Sequence, residues 1–181
     1  MLLHLIRNKL RAAALLAILA WPMAPALAQT INSEQQLKAA YLVNFLKYIE
    51  WPNPGSSVTI CLFGREQLSP FLSLYEGRLI VGRELRIRRI SGPDQLENCQ
   101  LVFIPDTEEA RFGAVLRWVE NQPILSVSDA EIFTHQGGGI ALVRTDGRLQ
   151  FDVNMTNLTK ANLKPSSQMM RLVRQVIGSV R

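Results

Sequence analysis

The sequence has few residues of the kinds that bind metals or carry out catalysis. Its 181 residues include 2 cysteines and 2 histidines, and aromatic residues make up 7%. One histidine is His4, so a single imidazole, His135, lies beyond the N-terminal segment. One histidine and two cysteines far apart in sequence match no zinc-ligand spacing. The sequence therefore predicts neither a metal site nor a cofactor.

No apolar run is long enough to cross a membrane. The longest, residues 12–28, falls short of the roughly 20 residues that a spanning helix needs. It follows a basic start and ends on an Ala-Leu-Ala triplet, features that are typical of a secretory signal peptide. We therefore predict that residues 1–28 are a signal peptide cleaved after Ala28 and that residues 29–181 form the exported domain. An uncleaved membrane anchor is the alternative.

The excess of positive charge belongs largely to this leader. The whole chain carries 20 basic and 15 acidic residues, a net charge of +5, which would suit nucleic acid or an anionic membrane surface. Three basic residues lie in the leader, namely Arg7, Lys9 and Arg11. Without them, 17 basic and 15 acidic residues leave a net charge of only +2. This is not the charge pattern of a nucleic-acid-binding protein.

Export decides how the two cysteines are interpreted. In an oxidising compartment, a lone pair of cysteines is more often a disulfide than two reactive thiols. Cys61 lies in a predicted strand, and Cys99 immediately precedes another. We predict a Cys61–Cys99 disulfide that forms if these strands are neighbours. Two separate buried thiols are the alternative.

Hydrophobic patterning predicts an α/β fold. Apolar residues recur every three or four positions from Ser33 to Trp51, which indicates an amphipathic helix capped by Asn32 or Ser33. Three nearly continuous apolar segments, VTICLFG, QLVFIPD and ILSVSD, indicate strands that are covered on both faces. A helical stripe that begins at Phe112 separates the last two strands, which gives the order of a βαβ unit.

The C-terminal third has a different pattern. Asp146 and Gly147 separate two alternating segments, which is the strongest hairpin signal in the chain. Two helices are predicted after it, MTNLTKAN and SSQMMRLVRQVIGSV, the last of them capped by Ser166. The sum is a single α/β domain with a mixed, mostly parallel β-sheet flanked by helices, followed by a C-terminal β-hairpin and helices.

The residue types of a catalytic triad occur close together in sequence. Ser128, Asp129 and His135 would form one only if the serine bonded the imidazole and the carboxylate oriented it. Proximity in sequence does not provide that geometry. The run Gly137–Gly139 lacks both the dinucleotide-binding and the P-loop patterns. The sequence therefore indicates a protein that is not an enzyme.

Basic residues around one predicted strand are candidates for holding an anionic ligand, namely Arg83, Arg86 and Arg88. The alternative is an edge strand whose charge prevents pairing with other chains. Open α/β sheets bind ligands at the carboxyl ends of their strands. A small-ligand site would therefore lie in the connections after Gly64, Pro105 and Asp129.

An apolar stripe on the predicted last helix is a candidate surface for a protein partner. Its members are Met169, Leu172, Val173, Val176 and Ile177. The alternative is that the stripe packs into the core, as most apolar helix faces do.

Seven segments occur in an order that is typical of one protein family. They are the helix QLKAAYLVNFLKYIEWP, the strand TICLFG, the turn and strand GRLIVGRELRIRRI, the strands CQLVFIP and ILSVSD, the hairpin GGGIALVRTDGRLQFDVN, and LKPSSQMMRLVRQV. From about Ser33 to about Gly178, the chain resembles the YfiR family of periplasmic regulators. The FLKYIEWP stretch and the hairpin are the most distinctive parts.

The resemblance implies an exported, non-catalytic protein of the periplasm that forms a homodimer. Family members contact the periplasmic domain of a YfiN-type inner-membrane diguanylate cyclase and repress it. Relief of this repression raises cyclic di-GMP and favours biofilm formation. The resemblance also implies that Cys61 and Cys99 form the family's disulfide between two strands. The founding member has a second cysteine pair near the hairpin that this chain lacks, so redox control through a second bridge is not expected.

Overall fold

The computed structural model describes residues 26–178, with side chains from Asn32 onward. The chain divides into two units, Met1–Ser33 and Glu34–Arg181. What is described of the first unit is the start of helix α1 (Ala26–Tyr48), whose remainder belongs to the second. Most of the predicted signal peptide lies outside the described residues. The predicted helix caps at Asn32 and Ser33 are wrong, because α1 is already formed at these positions.

The second unit continues from α1 through short helices and ten strands. In chain order the elements are β1 (Ile49–Glu50), β2 (Ser57–Phe63), α2 (Ser69–Leu72), β3 (Leu79–Ile80), β4 (Arg83–Ile90), β5 (Leu101–Ile104), α3 (Phe112–Val119), β6 (Leu125–Ser128), β7 (Ile140–Thr145), β8 (Arg148–Asn154), α4 (Met155–Lys160), β9 (Lys164–Pro165), α5 (Ser167–Met170) and β10 (Gln175–Ile177). Short 3-10 turns follow α2 and precede β5 and α3.

Eight of these strands form one mixed sheet in the order β10-β8-β7-β6-β5-β2-β4-β3. The pairs β2–β4, β2–β5, β5–β6, β6–β7 and β8–β10 are parallel. The pairs β7–β8 and β3–β4 are antiparallel, and β1 and β9 form a separate small antiparallel sheet. The predicted mixed, mostly parallel sheet is therefore confirmed. Successive strands lie on opposite sides of β2, with β3 and β4 on one side and β5, β6 and β7 on the other. The carboxyl ends of the parallel neighbours β2 and β5 lie side by side at this switch point.

Both faces of the central strands are buried, as their continuous apolar sequences predict. In β2, Ile60 and Leu62 face the layer that contains α1, whereas Cys61 and Phe63 face the layer that contains α3. Side chains alternate between the two faces because a strand has a period of two residues. The predicted stripe of α3 is confirmed, since Phe112 and the apolar positions that follow it on the same face pack into the second layer.

The predicted hairpin is present and is closed by a two-residue turn. Asp146 and Gly147 have φ values of 51° and 74°, the positive values that a type I′ turn requires at both positions. The register pairs Leu142 with Phe151. The ring of Phe151 lies 5.2 Å from that of Phe45 on α1 in an edge-on arrangement. The hairpin therefore packs against α1.

The predicted last helix is wrong beyond its first turn. Ser166 caps α5 as expected, accepting a hydrogen bond from the backbone N–H of Met169 at 3.2 Å, but the helix ends at Met170. The chain then forms β10, which pairs in parallel with β8. Arg174 anchors the chain just before β10, since its backbone N–H donates to the carbonyl of Phe151 at 2.9 Å. Its guanidinium also binds both carboxylate oxygens of Asp152, at 2.8 and 2.5 Å.

Replacing Arg174 by methionine is expected to lower the free energy of unfolding by about 3 kcal/mol, because Asp152 would be left buried without its cation. Urea unfolding monitored by circular dichroism measures this change. Arg171→Met is the matched control, since Arg171 is exposed, and it should change stability by less than about 0.5 kcal/mol. Equal stability of the two variants would show that the ion pair does not anchor β10.

Candidate functional site

The carboxyl end of β6 holds a network of charged side chains. Asp129 accepts a hydrogen bond from Nζ of Lys38 at 2.7 Å and another from the backbone N–H of Asp106 at 2.9 Å. Lys38 lies on α1, is 7% exposed and also pairs with Glu34 at 3.1 Å. Glu34 in turn pairs with Arg144 of β7. We call these four charged residues, Glu34, Lys38, Asp129 and Arg144, the Lys38 network.

Neighbouring charges outweigh burial within this network. Burial lowers the pKa of Lys38, but the hydrogen bonds and charges of Asp129 and Glu34 more than compensate and raise it. Burial likewise raises the pKa of Glu34, but Lys38 and Arg144 more than compensate and lower it. Both shifts favour the charged forms. A lysine locked as a cation is a poor general base, so the network is suited to holding α1 on the sheet.

The chain's own side chains fill the crevice between the ends of β2 and β5. Glu108 accepts a hydrogen bond from the backbone N–H of Arg65 at 3.3 Å and pairs with Arg111 at 3.2 Å. The guanidinium of Arg111 lies 4.3 Å from the centre of the Phe63 ring. A side chain at Gly64 would collide with Glu108, since an added Cβ would lie 2.1 Å from its Oε1. The place where open α/β sheets usually take ligands is thus occupied.

The structure does not assemble the three triad-type residues. The hydroxyl of Ser128 accepts a hydrogen bond from the backbone N–H of Ala130 at 3.1 Å, and Asp129 belongs to the Lys38 network. His135 is exposed on the turn that follows. Within residues 32–178, no hydrogen bond joins Ser128 or Asp129 to His135, and no three His, Cys, Asp or Glu side chains lie together as metal ligands.

The predicted disulfide joins β2 to the loop that leads into β5. The Cα atoms of Cys61 and Cys99 are 5.9 Å apart. Arg88, on β4, covers the bridge, with Nη2 3.1 Å from the sulfur of Cys99. The same nitrogen donates to the carbonyl of Gln95 at 2.8 Å and to that of Glu97. Arg88 therefore holds the loop that leads into β5.

Only two of the three candidate ligand-binding arginines come together. Arg86 and Arg88 line a polar cleft of about 730 Å³. Arg83 instead lies over Trp51, with its guanidinium carbon 5.8 Å from the ring centre. Arg86 pairs with Glu84 at 3.7 Å, and Arg88 is engaged by the disulfide loop. The two-residue strand β3 covers only the start of β4. The preceding loop continues this cover, since Leu85 exchanges backbone hydrogen bonds with Gly77 and Arg78, and Glu76 accepts from the backbone N–H of Ile87 at 2.8 Å. Beyond Ile87, no described strand pairs with this edge of β4.

The candidate partner-binding residues do not form one surface. Met169 is 2% exposed and belongs to the core, and Val173 packs partly against it. Leu172 and Val176 are 67% and 48% exposed. Ile177 is half-buried on β10. The exposed pair Leu172 and Val176 is therefore the part of the predicted stripe that remains available to a partner.

Sequence reasoning missed the role of Lys38. The available signal was Glu34, four residues before it on the same helix, an acid–base spacing that supports helices. The partner that buries Lys38, Asp129, is 91 residues away. No local pattern reveals a contact at that distance in sequence.

The layered arrangement of helices around a mixed sheet defines the chain as an α/β protein of the open-sheet class. Residues 35–174 match the family model described as DUF4154, YfiR/HmsC-like. This match covers most of the chain, which therefore belongs to the YfiR/HmsC-like family. The resemblance seen in the sequence is confirmed. The family is periplasmic and regulatory rather than catalytic, and no helix among the described residues is long and apolar enough to cross a membrane.

Two solved structures share the fold. One is an ABC domain in complex with L-Trp from Streptococcus pneumonia, with 11% identity, a TM-score of 0.55 and coverage of 77% of this chain and 60% of that one. The other is a conserved domain protein from Vibrio cholerae O1 biovar eltor, with 8% identity, a TM-score of 0.56 and coverage of 78% and 60%. The chain thus spans about 60% of the length of these structures. At such identities the likeness concerns the fold alone.

Replacing Glu34 by glutamine is expected to make the protein less sensitive to acid. The pKa of Glu34 is lowered from 4.5 in the folded state, so its contribution to stability is present above that value and is lost as the pH falls below it. Between pH 6 and pH 3, the unchanged protein should lose about 0.5 to 1 kcal/mol more than Glu34→Gln. Urea unfolding at each pH measures this difference. Glu109→Gln, at an exposed glutamate, should follow the unchanged protein, and identical acid profiles for all three would contradict the assignment.

Replacing both cysteines by alanine is expected to lower the free energy of unfolding by about 3 to 4 kcal/mol, because the bridge joins positions 38 residues apart and restricts the unfolded chain. Urea unfolding with and without reductant tests this. Reduction should bring the unchanged protein to the stability of the double variant and leave the variant itself unaffected. An unchanged protein that is equally stable with and without reductant would contradict the prediction.

Proposed function

We propose that this chain is an exported repressor that binds the periplasmic sensor domain of an inner-membrane diguanylate cyclase. Removal of residues 1–28 by signal peptidase releases it into the periplasm. Binding holds the cyclase inactive, and release raises cyclic di-GMP and favours biofilm formation. A homodimer is the proposed resting form.

The observation that carries this proposal is the family match over residues 35–174. It spans all but the last strand of the large sheet, both packed layers and the disulfide. The geometry is compatible with a binding role, since the strand ends that serve as active sites in many α/β enzymes are filled by Glu108, Arg111 and the Lys38 network. Contacts with other molecules would therefore be made by the exposed surface of the described residues and not by the crevice at these strand ends.

A repressor of this kind must bind the inactive state of the cyclase more tightly than the active state, because only differential affinity shifts an equilibrium. We place the contact at Leu172 and Val176, which lie on the last described segment of the chain and are largely exposed. Apolar side chains exposed near an edge strand suit a partner with a matching apolar surface. Met169 is excluded from this contact by its burial in the core.

Anion binding beside Arg86 and Arg88 is a second candidate. The observation that favours it is the polar cleft that these two arginines share. Since Arg88 already donates to two carbonyls, Arg86 would supply most of the attraction.

Deleting the gene in cells that express the matching cyclase is expected to raise cyclic di-GMP severalfold, as measured by mass spectrometry of cell extracts. The full chain supplied from a plasmid should restore the low level. Leu172→Asp with Val176→Asp should fail to restore it, because a buried charge opposes apolar docking. Leu79→Asp, at a residue that is 72% exposed elsewhere on the sheet, is the matched control and should restore it. Unchanged or lowered cyclic di-GMP after deletion would contradict the proposal.

A further inference from the structure

A cleft of about 500 Å³ opens at the amino ends of β2, β5 and β6, the opposite end of the sheet from the Lys38 network. Its walls come from the segments that precede these three strands and from α3. The lining residues include Trp51, Asp94, Glu97, Gln100 and Trp118. This volume is within the range of sites that take small molecules.

Two tryptophans line this cleft. Trp118 on α3 is 57% exposed, and among the described residues no cationic side chain stacks on its ring. Trp51 is 8% exposed, and its covered indole Nε1–H finds no acceptor in the described part of the chain. A buried donor without an acceptor is rare and costly in folded proteins. The cleft thus offers the free face of Trp118, whereas the Trp51 indole in its wall is covered and has the Arg83 guanidinium carbon 5.8 Å from its ring centre.

The ionisable side chains that line the cleft are both acidic. Asp94 and Glu97 line it and are exposed, and neither takes part in an ion pair within residues 32–178. No lysine, arginine or histidine lines the cleft. Gln100 accepts a hydrogen bond from the backbone N–H of Thr59 at 2.7 Å, which leaves its amide hydrogens as donors. The two carboxylates should therefore attract a positively charged group, and the Gln100 amide should attract a hydrogen-bond acceptor.

We propose that this cleft binds an organic cation that also carries a carbonyl oxygen, as an arginine or lysine residue does. A guanidinium or ammonium group over the face of Trp118 gains a cation–π interaction, for which tryptophan is the best aromatic partner. Asp94 and Glu97 neutralise its charge. The carbonyl oxygen accepts a hydrogen bond from the side-chain amide of Gln100, which lines the cleft and whose amide hydrogens have no acceptor within the described residues.

The same chemistry has two sources, a free amino-acid derivative and a residue in an exposed segment of a protein. The inference goes beyond the proposed repressor function, because it does not depend on a cyclase. It also differs from anion binding at Arg86 and Arg88, whose cleft adjoins this one and shares Asn53, Asn98 and Gln100 with it. The acidic and basic clefts lie on either side of these three amides.

The test uses the protein purified from cells that express the full coding sequence, with the disulfide intact. Both tryptophans beyond residue 28 line the cleft, so tryptophan emission reports on it, and calorimetry gives the affinity. N-acetyl-L-arginine amide is expected to bind with a Kd of about 1 mM or tighter. Its neutral counterpart, N-acetyl-L-citrulline amide, should bind at least about tenfold more weakly, which corresponds to the loss of one charge-assisted contact.

Two further ligands separate the sources and the roles. Tighter binding of acetyl-Gly-Arg-Gly-amide than of the single amino acid would identify a protein segment as the ligand, whereas equal binding would identify a free small molecule. Choline, a cation without a carbonyl oxygen, should bind more weakly than the arginine derivative because it cannot accept a hydrogen bond from Gln100, and equal binding of the two would contradict the role given to the carbonyl oxygen.

Variants connect the binding to the cleft. Trp118→Leu and the pair Asp94→Asn with Glu97→Gln should each weaken arginine-amide binding about tenfold or more. Glu109→Gln, an exposed glutamate outside the cleft, should leave it unchanged. All of these residues are exposed, so the variants should keep the thermal stability of the unchanged protein. Equal binding of the arginine and citrulline derivatives, no response to either, or unchanged binding in the cleft variants would overturn the inference.

Discussion

The hydrogen-bonded ion pair between Lys38 and Asp129 is the constraint on which the arrangement of the layers depends. The central strands are apolar on both faces, so helices must cover them, and apolar contacts alone tolerate a helix that slides along the sheet. Lys38 is only 7% exposed, and sliding of α1 would separate it from Asp129. Such sliding is therefore opposed, because an unpaired buried charge is strongly destabilising. Asp129 also binds the backbone that follows β5. One carboxylate thus aligns α1 with the ends of two strands.

Elements whose signal is local could be predicted from the sequence. The three apolar strands, the stripe of α3 and the Asp146–Gly147 turn each depend on the residues that form them, and all are present. The start of α1 could not be placed, because a capping residue such as Ser33 is also tolerated inside a helix. The disulfide was predictable from export and pairing, but the position of Arg88 across it was not. That position depends on β4 and β5 flanking β2.

The last segment shows why periodicity can mislead. Residues 169–177 have apolar side chains at helical spacing, yet a helix there would pull Arg174 away from Asp152, which is 1% exposed on β8. Burying that carboxylate without its cation costs more than one short helix contributes. The strand that results pairs with β8 and exposes Leu172 and Val176. A contact between residues 22 positions apart therefore decides both the local structure and the surface that is offered to a partner.

The two ends of the parallel strands differ in a way that bears on recognition. At the carboxyl ends, carboxylates and cations of the chain pair with one another, so the local charge is balanced and the crevice is filled. At the amino ends, Asp94 and Glu97 form no ion pair within the described residues, and Trp118 exposes its ring. The charged side chains at the carboxyl ends are therefore paired within the chain, whereas the amino ends carry unpaired carboxylates and an exposed aromatic ring. Since unmatched groups are those that gain most from a ligand, we expect a cationic ligand of this chain to bind at the end opposite to the one that open α/β sheets generally use.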